Sequence, residues 1–333
     1  MTGGTRTRAG ILPAVAANWL RGAPSVWLFT VLALLPLAAM QGAESYILSL
    51  LTRALIFAIA ALSLDLILGH GALVSLGHAA FLGIGSYAVA ILAAHGIDEI
   101  LLQTSVAIVA ALLFAALTSA VSLRASGVYY IMSTLAFGQM LYFFAVSMSA
   151  YGGDDGISLE GRSRLLGYHV LGSDMTFYYV VLAVLMGCYG ATVRVVGSRF
   201  GRVLNGIREN PWRMRAIGFE PFPYQMTACA IAGVMCAIAG VLLANQTGFV
   251  SPAYMTWQRS GDLLVIVIVG GIGSLWGAIV GAIAYLLLQD ALSSMTEDWK
   301  LILGVILIVV ALASHGGLAA AVTRVSGRAR KEP

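Results

Sequence analysis

The sequence predicts an all-α membrane protein, folded as one polytopic transmembrane bundle of about nine or ten helices. Of its 333 residues, 59% are hydrophobic and only 10% are charged, whereas soluble domains carry about 25% charged residues. A surface so poor in charge indicates that lipid surrounds most of the chain. The apolar runs are also long and continuous, without the alternation of barrel strands. Because backbone groups in lipid must bond internally, these runs predict helices.

Nine apolar segments reach spanning length at roughly 20 residues per crossing. They lie at 25–42, 46–68, 70–95, 100–123, 127–149, 175–197, 222–245, 262–292 and 300–318. Acidic residues occupy several of the breaks, including Asp98 and Glu99 in one short loop and Asp154 and Asp155 in a longer one. We expect residues 1–333 to form a single transmembrane domain.

Residues 198–221 form the most distinctive break. Its five arginines are Arg199, Arg202, Arg208, Arg213 and Arg215. Cytoplasmic loops of membrane proteins are rich in arginine and lysine, so we predict that this segment and the tails 1–24 and 319–333 are cytoplasmic. Two interpretations of the segment stay open: a docking helix for a cytoplasmic partner, or a topology signal that binds anionic lipid head groups. The turn residues Pro211 and Gly218 favour docking.

Helix parity predicts a broken helix late in the chain. Six crossings before the basic segment agree with a cytoplasmic N-terminus, but three crossings after it would leave the basic C-terminal tail outside. The segment 262–292 is too long for one upright span, and it contains the glycines Gly270, Gly271, Gly273 and Gly277. We therefore predict a break near 270–274, with a short half-helix before it and a full helix after it. Broken helices in transporters often mark the pathway.

Two glycine-rich stretches resemble each other. Residues 69–87 read GHGALVSLGHAAFLGIGSY, and residues 270–285 read GGIGSLWGAIVGAIAY. Their shared order of glycine cluster, Ser-Leu, small residues and Tyr predicts an internal repeat. The alternative is that small residues at these intervals serve close helix packing in any bundle.

Enzyme motifs are missing from the sequence. It has no G-x-x-x-x-G-K-[ST] phosphate loop, no H-E-x-x-H zinc motif and no G-x-S-x-G nucleophile elbow. The three cysteines, Cys188, Cys229 and Cys236, form no C-x-x-C pair. We therefore expect a chain without catalytic residues, without a metal site and without a cofactor of its own.

Ionisable residues inside apolar segments are costly and usually purposeful. Arg53 and Asp65 lie on one predicted helix at a separation of about 18 Å, too far apart to pair. Asp65 could form a proton relay with His70 or His78, or simply make structural hydrogen bonds. Asp262 and Asp290, near the ends of another segment, fit helix-capping or interfacial positions.

Six polar residues in apolar segments are candidates for a hydrophilic translocation pathway: Ser75, His78, Tyr87, Tyr129, Thr134 and Gln139. Interhelical hydrogen bonding would explain each of them about as well.

Four stretches carry a resemblance to a known family. They are SLGHAAFLGIGSY at 75–87, GVYYIMSTLAFGQ at 127–139 followed by GGDDGI at 152–157, the basic segment from Phe200 to Gly218, and SPAYMTWQRSGDLLVIVIVGGIGSLWGAIVG at 251–281. Together they resemble the permease subunit of the branched-chain amino-acid class of ABC importers, over about residues 45 to 318.

The resemblance implies an importer half-pore in the bacterial cytoplasmic membrane. Its partners would be a second homologous permease, two cytoplasmic ATPase subunits that hold ATP and magnesium, an extracytoplasmic substrate-binding protein, and membrane lipid, with no nucleic acid. The basic segment would be the coupling loop that docks the ATPase. Its candidate residues are Arg202, Ile207, Arg208, Glu209, Asn210, Arg213 and Gly218.

The implied substrates are leucine, isoleucine and valine, with urea or short amides as alternatives known among similar proteins. The rival hypothesis from another class is an ion-coupled secondary transporter. Such a carrier needs an acidic residue within the membrane, and Asp65 is the candidate.

Overall fold

The computed structural model describes residues 23–39, 44–159, 161–165, 167 and 170–313, and these residues are almost entirely helical. The helices are α1 (Ala23–Ala39), α2 (Glu44–Gly71), α3 (Ala79–Ala94), α4 (Ile100–Ser122), α5 (Val128–Ser147), α6 (Asp174–Gly197), α7 (Arg199–Glu209), α8 (Pro211–Ala216), α9 (Pro221–Thr247), α10 (Trp257–Gly270), α11 (Leu275–Ser293) and α12 (Trp299–Ala313). Short 3₁₀ turns lie at Ser149–Tyr151, Val170–Gly172 and Pro252–Met255. The predicted tail 319–333 lies outside the described residues, as does 1–24 except for its last two residues, which begin α1.

The predicted helical membrane bundle is confirmed. Within the described residues, six helices are long and apolar enough to cross a membrane: α2, α4, α5, α6, α9 and α11. The shorter α1, α3 and α12 are apolar too. Together with α10, the half-helix before the break, these helices make ten, the upper end of the predicted range for the described residues. One small departure is a two-residue antiparallel pairing between β1 (Ile157–Ser158) and β2 (Phe249–Val250).

Helix α2 is the centre of the bundle. It packs against α6, α9, α10 and α11, and its residues 54–67 are buried throughout. Helices α4 and α5 lie at the periphery, with large apolar side chains such as Leu113 and Phe143 exposed. Such an apolar outer surface is suited to lipid or to a second membrane subunit.

The helix break near 270–274 is confirmed. Helix α10 ends at Gly270 and α11 begins at Leu275. Gly271 and Gly273 have positive φ angles of 109° and 79°, a conformation that side chains with a Cβ rarely adopt. Gly270 serves close packing, because a Cβ on it would lie 2.2 Å from the Gly277 carbonyl oxygen.

The predicted continuous span 70–95 is wrong. Helix α2 runs on to Gly71, residues 72–78 are not helical, and α3 starts only at Ala79. Close packing explains this course, because a Cβ on Gly77 would lie 2.0 Å from the Thr134 carbonyl oxygen. Both glycine-rich stretches therefore interrupt helices, and the internal repeat itself stays a prediction.

The start of α3 is buried inside the bundle, where a free backbone N–H is costly. The Ala79 N–H donates to Ser260 Oγ of α10 at 3.0 Å, and the next two N–H groups donate to carbonyls of the preceding turn. Beyond this point α3 lies close against α9, since a Cβ on Gly85 would lie 2.0 Å from the Ala237 carbonyl oxygen. Small residues thus permit the tight packing typical of membrane helices.

The two ends of the bundle differ in charge. We call the end that carries residues 198–221 the basic end, and the end that carries residues 95–99 and 150–165 the acidic end. At the acidic end, Ser163 ties the long polar loop to the bundle through bonds to Asn245 (2.7 Å) and Gln103 (2.6 Å).

Candidate coupling loop and polar cavity

Residues 198–221 form two short capped helices. Ser198 Oγ accepts the Gly201 N–H at the start of α7 (3.3 Å), and Asn210 Oδ1 accepts the Arg213 N–H at the start of α8 (3.0 Å). Both residue types are favoured N-caps. Gly218 then adopts a φ of 91°, which allows the chain to turn toward α9. The segment is therefore an ordered helix–turn–helix.

Helix α7 is anchored in the bundle by its apolar face. Leu204 and Ile207 are 0% and 3% exposed, and α7 packs against α2, α6 and α9. One helical turn separates these two side chains, so they lie on the same face of the helix. Any displacement of α7 must therefore move side chains that are packed among three membrane helices.

A direct contact joins the candidate coupling loop, residues 198–221, to the end of α2. The Arg208 guanidinium donates to the Gly69 carbonyl oxygen, and His70 Nδ1 lies 3.1 Å from Asn205 Oδ1. Because a carbonyl at a helix C-terminus lacks an intrahelical donor, the arginine satisfies a group that would otherwise be left free.

The same end of α2 also contacts the helix break between α10 and α11. The Gly273 N–H donates to Asp65 Oδ1 at 2.7 Å, and a Cβ on Gly69 would lie 2.6 Å from Gly273 Cα. We call Asp65, Gly69, Arg208 and Gly273 the junction. It connects the coupling loop, the central helix and the break through contacts between residues that are far apart in the sequence.

The candidate coupling residues divide between structural and outward positions. Arg208 is exposed, as expected of a residue that faces the cytoplasm, and it also donates to the Gly69 carbonyl oxygen of α2, while the partly buried Asn210 caps α8. Arg202 donates to the Gly197 carbonyl oxygen at 3.3 Å, at the end of α6. Glu209 and Arg213 are exposed, which leaves them available to a partner.

A small cavity of about 30 Å³, with both polar and apolar side chains in its lining, lies between α2, α3, α4, α5 and α9, close to the interrupted stretch 72–78. We call it the polar cavity because of its polar side chains. Three pathway candidates line it together: Ser75, His78 and Thr134. Sequence reasoning missed Tyr130, which also lines the cavity and whose hydroxyl lies 3.8 Å from Cys229 Sγ.

His78 lines this cavity and is only 1% exposed. Its Nε2 lies 2.8 Å from Ser63 Oγ, while its Nδ1 has no hydrogen-bond partner among the described residues. The bonds made by Asp65 and His70 lie at the junction instead, so the described contacts give no proton relay that joins Asp65 to either histidine.

The other three pathway candidates do not line this cavity. Tyr129 is 75% exposed on the outer face of α5. Tyr87 is buried, with a hydroxyl that has no partner among the described residues. Gln139 is partly buried on α5.

The acidic residues of α10 and α11 make local contacts. Asp262 accepts from Arg259 (3.4 Å) and from the Tyr285 hydroxyl (3.0 Å). Its predicted position at a helix start is wrong, because α10 begins five residues earlier, at Trp257. Asp290 accepts from the Tyr46 hydroxyl, which ties the end of α11 to the start of α2. Among the described residues, no group of three or more His, Cys, Asp or Glu is arranged to hold a metal.

A multi-helix bundle with a small cavity between its helices and an ordered basic loop at one end is the architecture expected of a membrane permease. Residues 46–312 match the family described as "Branched-chain amino acid transport system / permease component". The chain belongs to this family, and it is a multi-pass membrane protein.

Curated relatives agree with this assignment. The high-affinity branched-chain amino acid transport system permease protein LivM of Escherichia coli (strain K12) is 27% identical over 293 residues, which cover 80% of this chain and 68% of the relative. LivM of Salmonella typhimurium (strain LT2) is 26% identical over 298 residues, with the same coverage. No solved structure gives a significant match.

Proposed function

We propose that this chain is the permease subunit of an ABC importer, and that ATP hydrolysis on separate subunits drives transport through it. The observation that supports the proposal best is the junction. A basic helix–turn–helix at one end of the bundle is bonded directly to the central helix and to the helix break. A loop with a topological role alone would not need these contacts.

The basic end is the cytoplasmic end in this proposal. Exposed arginines of the coupling loop, such as Arg199 and Arg213, lie at this end, while Asp98, Asp154 and Asp155 lie at the other. This distribution follows the positive-inside rule. The protein would thus lie in a bacterial cytoplasmic membrane, with its coupling loop facing the ATPase subunits.

Coupling would follow from a two-state bundle. Closure of the two ATPase subunits around ATP and magnesium would displace α7 and α8, and the junction would pass that displacement to α2 and to the break between α10 and α11. Each ligand must favour one state for such a cycle to work. This chain contributes shape and coupling, and the hydrolytic residues belong to its partners.

The exposed faces of α4 and α5 support a second membrane subunit. Leu113 and Phe143, which lie away from the basic ends of these helices, stand out from the bundle, and a homologous permease that covered this part of the surface would complete a pore. The polar groups Ser75, His78 and Thr134 would contribute to the hydrophilic surface along the transport route. An extracytoplasmic binding protein would deliver the substrate to the acidic end.

Branched-chain amino acids are the proposed substrates, because the relatives at 26–27% identity are named for that transport. Competition separates this choice from urea or short amides. Uptake of labelled leucine should fall when unlabelled isoleucine or valine is added, and an excess of urea or acetamide should leave it unchanged. Competition by urea alone would reassign the substrate.

Charge reversal at Arg213 tests the docking step. Arg213 is exposed on α8 and has no role in the junction, so Arg213→Glu should abolish co-purification of the ATPase subunits while membrane insertion persists. Arg164→Glu, an exposed arginine at the acidic end, is the matched control and should retain the ATPases. Full retention of the ATPases and of transport by Arg213→Glu would refute docking at this loop.

A further inference from the structure

A cleft at the basic end collects arginines from three separate elements. Arg124 comes from the turn between α4 and α5, Arg208 from α7 and Arg215 from α8. Residues 71–74 form another wall. Arg208 and Arg215 come from consecutive helices, whereas Arg124 and residues 71–74 are far from them in sequence and are brought to the cleft by the fold.

The positive charge of this cleft is not balanced from within. None of the described residues that line it is acidic, and none of its three arginines forms a salt bridge with another described residue. Arg215 lies over the Trp212 ring at 5.1 Å, and Arg208 uses one N–H on the Gly69 carbonyl oxygen. A guanidinium has five N–H donors, so these contacts leave further donors on Arg208 and Arg215 for a ligand of the cleft that both residues line.

The rest of the lining is largely apolar. Leu123, Ile131 and Trp212 contribute to the walls. The cleft also lies at the ends of two candidate membrane-spanning helices, since α4 ends at Ser122 and α5 begins at Val128. A small inorganic anion would leave these apolar walls unused.

The outer surface beside the cleft is also apolar. Val121, Val128 and Met132 are 51%, 63% and 63% exposed. They lie at the ends of α4 and α5 that border the cleft, where acyl chains would run along a membrane protein.

We propose that this cleft binds the phosphate group of an anionic phospholipid, whose acyl chains lie along α4 and α5. Arginine is the residue best suited to phosphate oxygens, because its planar fork donates two parallel hydrogen bonds. Basic pockets at the cytoplasmic ends of membrane helices suit anionic head groups for the same reason. Arg208 and Arg215 thus face a lipid, and Arg213 on the other side of α8 stays free for a protein partner.

The test is direct lipid binding to the purified full chain in a non-ionic detergent, read by native mass spectrometry. The probes are dioctanoyl phosphatidylglycerol, dioctanoyl phosphatidylcholine and inorganic phosphate. Wild-type chain should bind phosphatidylglycerol more tightly than either of the others. Binding needs neither ATP nor partner subunits, so its outcome is independent of the proposed transport function.

Two arginines of the same short helix give a matched pair. Arg215→Gln should weaken phosphatidylglycerol binding about fivefold, the effect of one cation at a membrane surface. Arg213→Gln should leave it unchanged, because Arg213 does not line the cleft. Arg124→Gln, on a turn rather than in the coupling loop, repeats the test and should also weaken binding about fivefold.

Three results would overturn the proposal. Equal affinity for phosphatidylglycerol and inorganic phosphate would indicate a site for a free anion. An equal loss in Arg213→Gln would indicate general charge attraction. Unchanged lipid binding in Arg215→Gln and Arg124→Gln, together with loss of the ATPase subunits, would assign the cleft to an acidic segment of that partner.

Discussion

Replacement of Gly69 by alanine tests the junction by adding a single methyl group. The new Cβ would lie 2.6 Å from both Cα and N of Gly273, and 2.6 Å from Asp65 Oδ1. Two of these three atoms belong to the backbone, so no rotation of a flexible side chain can relieve the clash. Gly69 lies within α2, and its helical conformation is one that alanine adopts readily.

The expected cost combines opposing effects. Overpacking of this kind costs about 1–3 kcal/mol. Loss of the Asp65–Gly273 hydrogen bond adds about 0.6–1.7 kcal/mol, the range measured between membrane helices. Alanine recovers about 1 kcal/mol over glycine in a helix. We therefore expect a net destabilisation of about 1–4 kcal/mol.

Gly71→Ala is the matched control, two residues further along the same helix. Its Cβ would meet Leu204 at 3.7 Å, an ordinary van der Waals contact, so stability should be unchanged or slightly higher. Thermal unfolding of the purified chains, followed by loss of the monodisperse peak in size-exclusion chromatography, measures the stability of both variants.

In the assembled transporter, Gly69→Ala should also lower substrate uptake more than ATP hydrolysis, because the coupling loop would no longer be connected to the helix break through the junction. A normal unfolding temperature for Gly69→Ala, or an equal loss in Gly71→Ala, would refute this reasoning.

Two further substitutions test the coupling loop and the cavity. Asn210→Ala removes the cap of α8 and should cost about 1 kcal/mol, seen as faster proteolysis within residues 210–216; an unchanged cleavage rate would contradict the capping role. Tyr130 lines both the polar cavity and the arginine cleft, so Tyr130→Ala should speed the reaction of Cys229 with a water-soluble maleimide when the other two cysteines are serine. Tyr129→Ala, whose side chain faces outward, should not, and equal acceleration by both would argue against a barrier at Tyr130.

Hydropathy, glycine content and helix parity were sufficient to predict most of the bundle. The break at 270–274 followed from the excess length of 262–292 together with charge at the chain end, two constraints that one continuous helix could not satisfy. The stretch 72–78 offered no comparable constraint. It is short and mostly apolar, so hydropathy does not distinguish its non-helical course from a helix.

The junction could not be predicted, because its contacts join residues that only the folded bundle brings together. Asp65 and Gly273 are separated by 208 positions, and a single sequence contains no signal for that pair. The coupling loop as an ordered element was predictable, since its caps and turn residues act locally. The contact of Arg208 with α2 was not predictable, because its acceptor is the Gly69 backbone carbonyl, which leaves no side-chain pattern in the sequence.

Half of the pathway candidates chosen from the sequence line the polar cavity. Ser75, His78 and Thr134 were chosen for polarity inside apolar segments, and they do meet. Sequence reasoning selected Tyr129 of α5, which is exposed, whereas its neighbour Tyr130 lines the cavity. Residues four apart share a helix face, so Thr134 pairs with Tyr130, and that periodicity was present in the sequence.

ATP-dependent uptake in proteoliposomes tests the central claim most directly. The chain would be reconstituted with its second permease, its ATPase subunits and its binding protein, and accumulation of labelled leucine measured with and without internal ATP. We expect uptake that requires both ATP and the ATPase subunits, and that Arg213→Glu abolishes. Uptake by this chain without the ATPase subunits, driven by an ion gradient, would contradict the importer assignment.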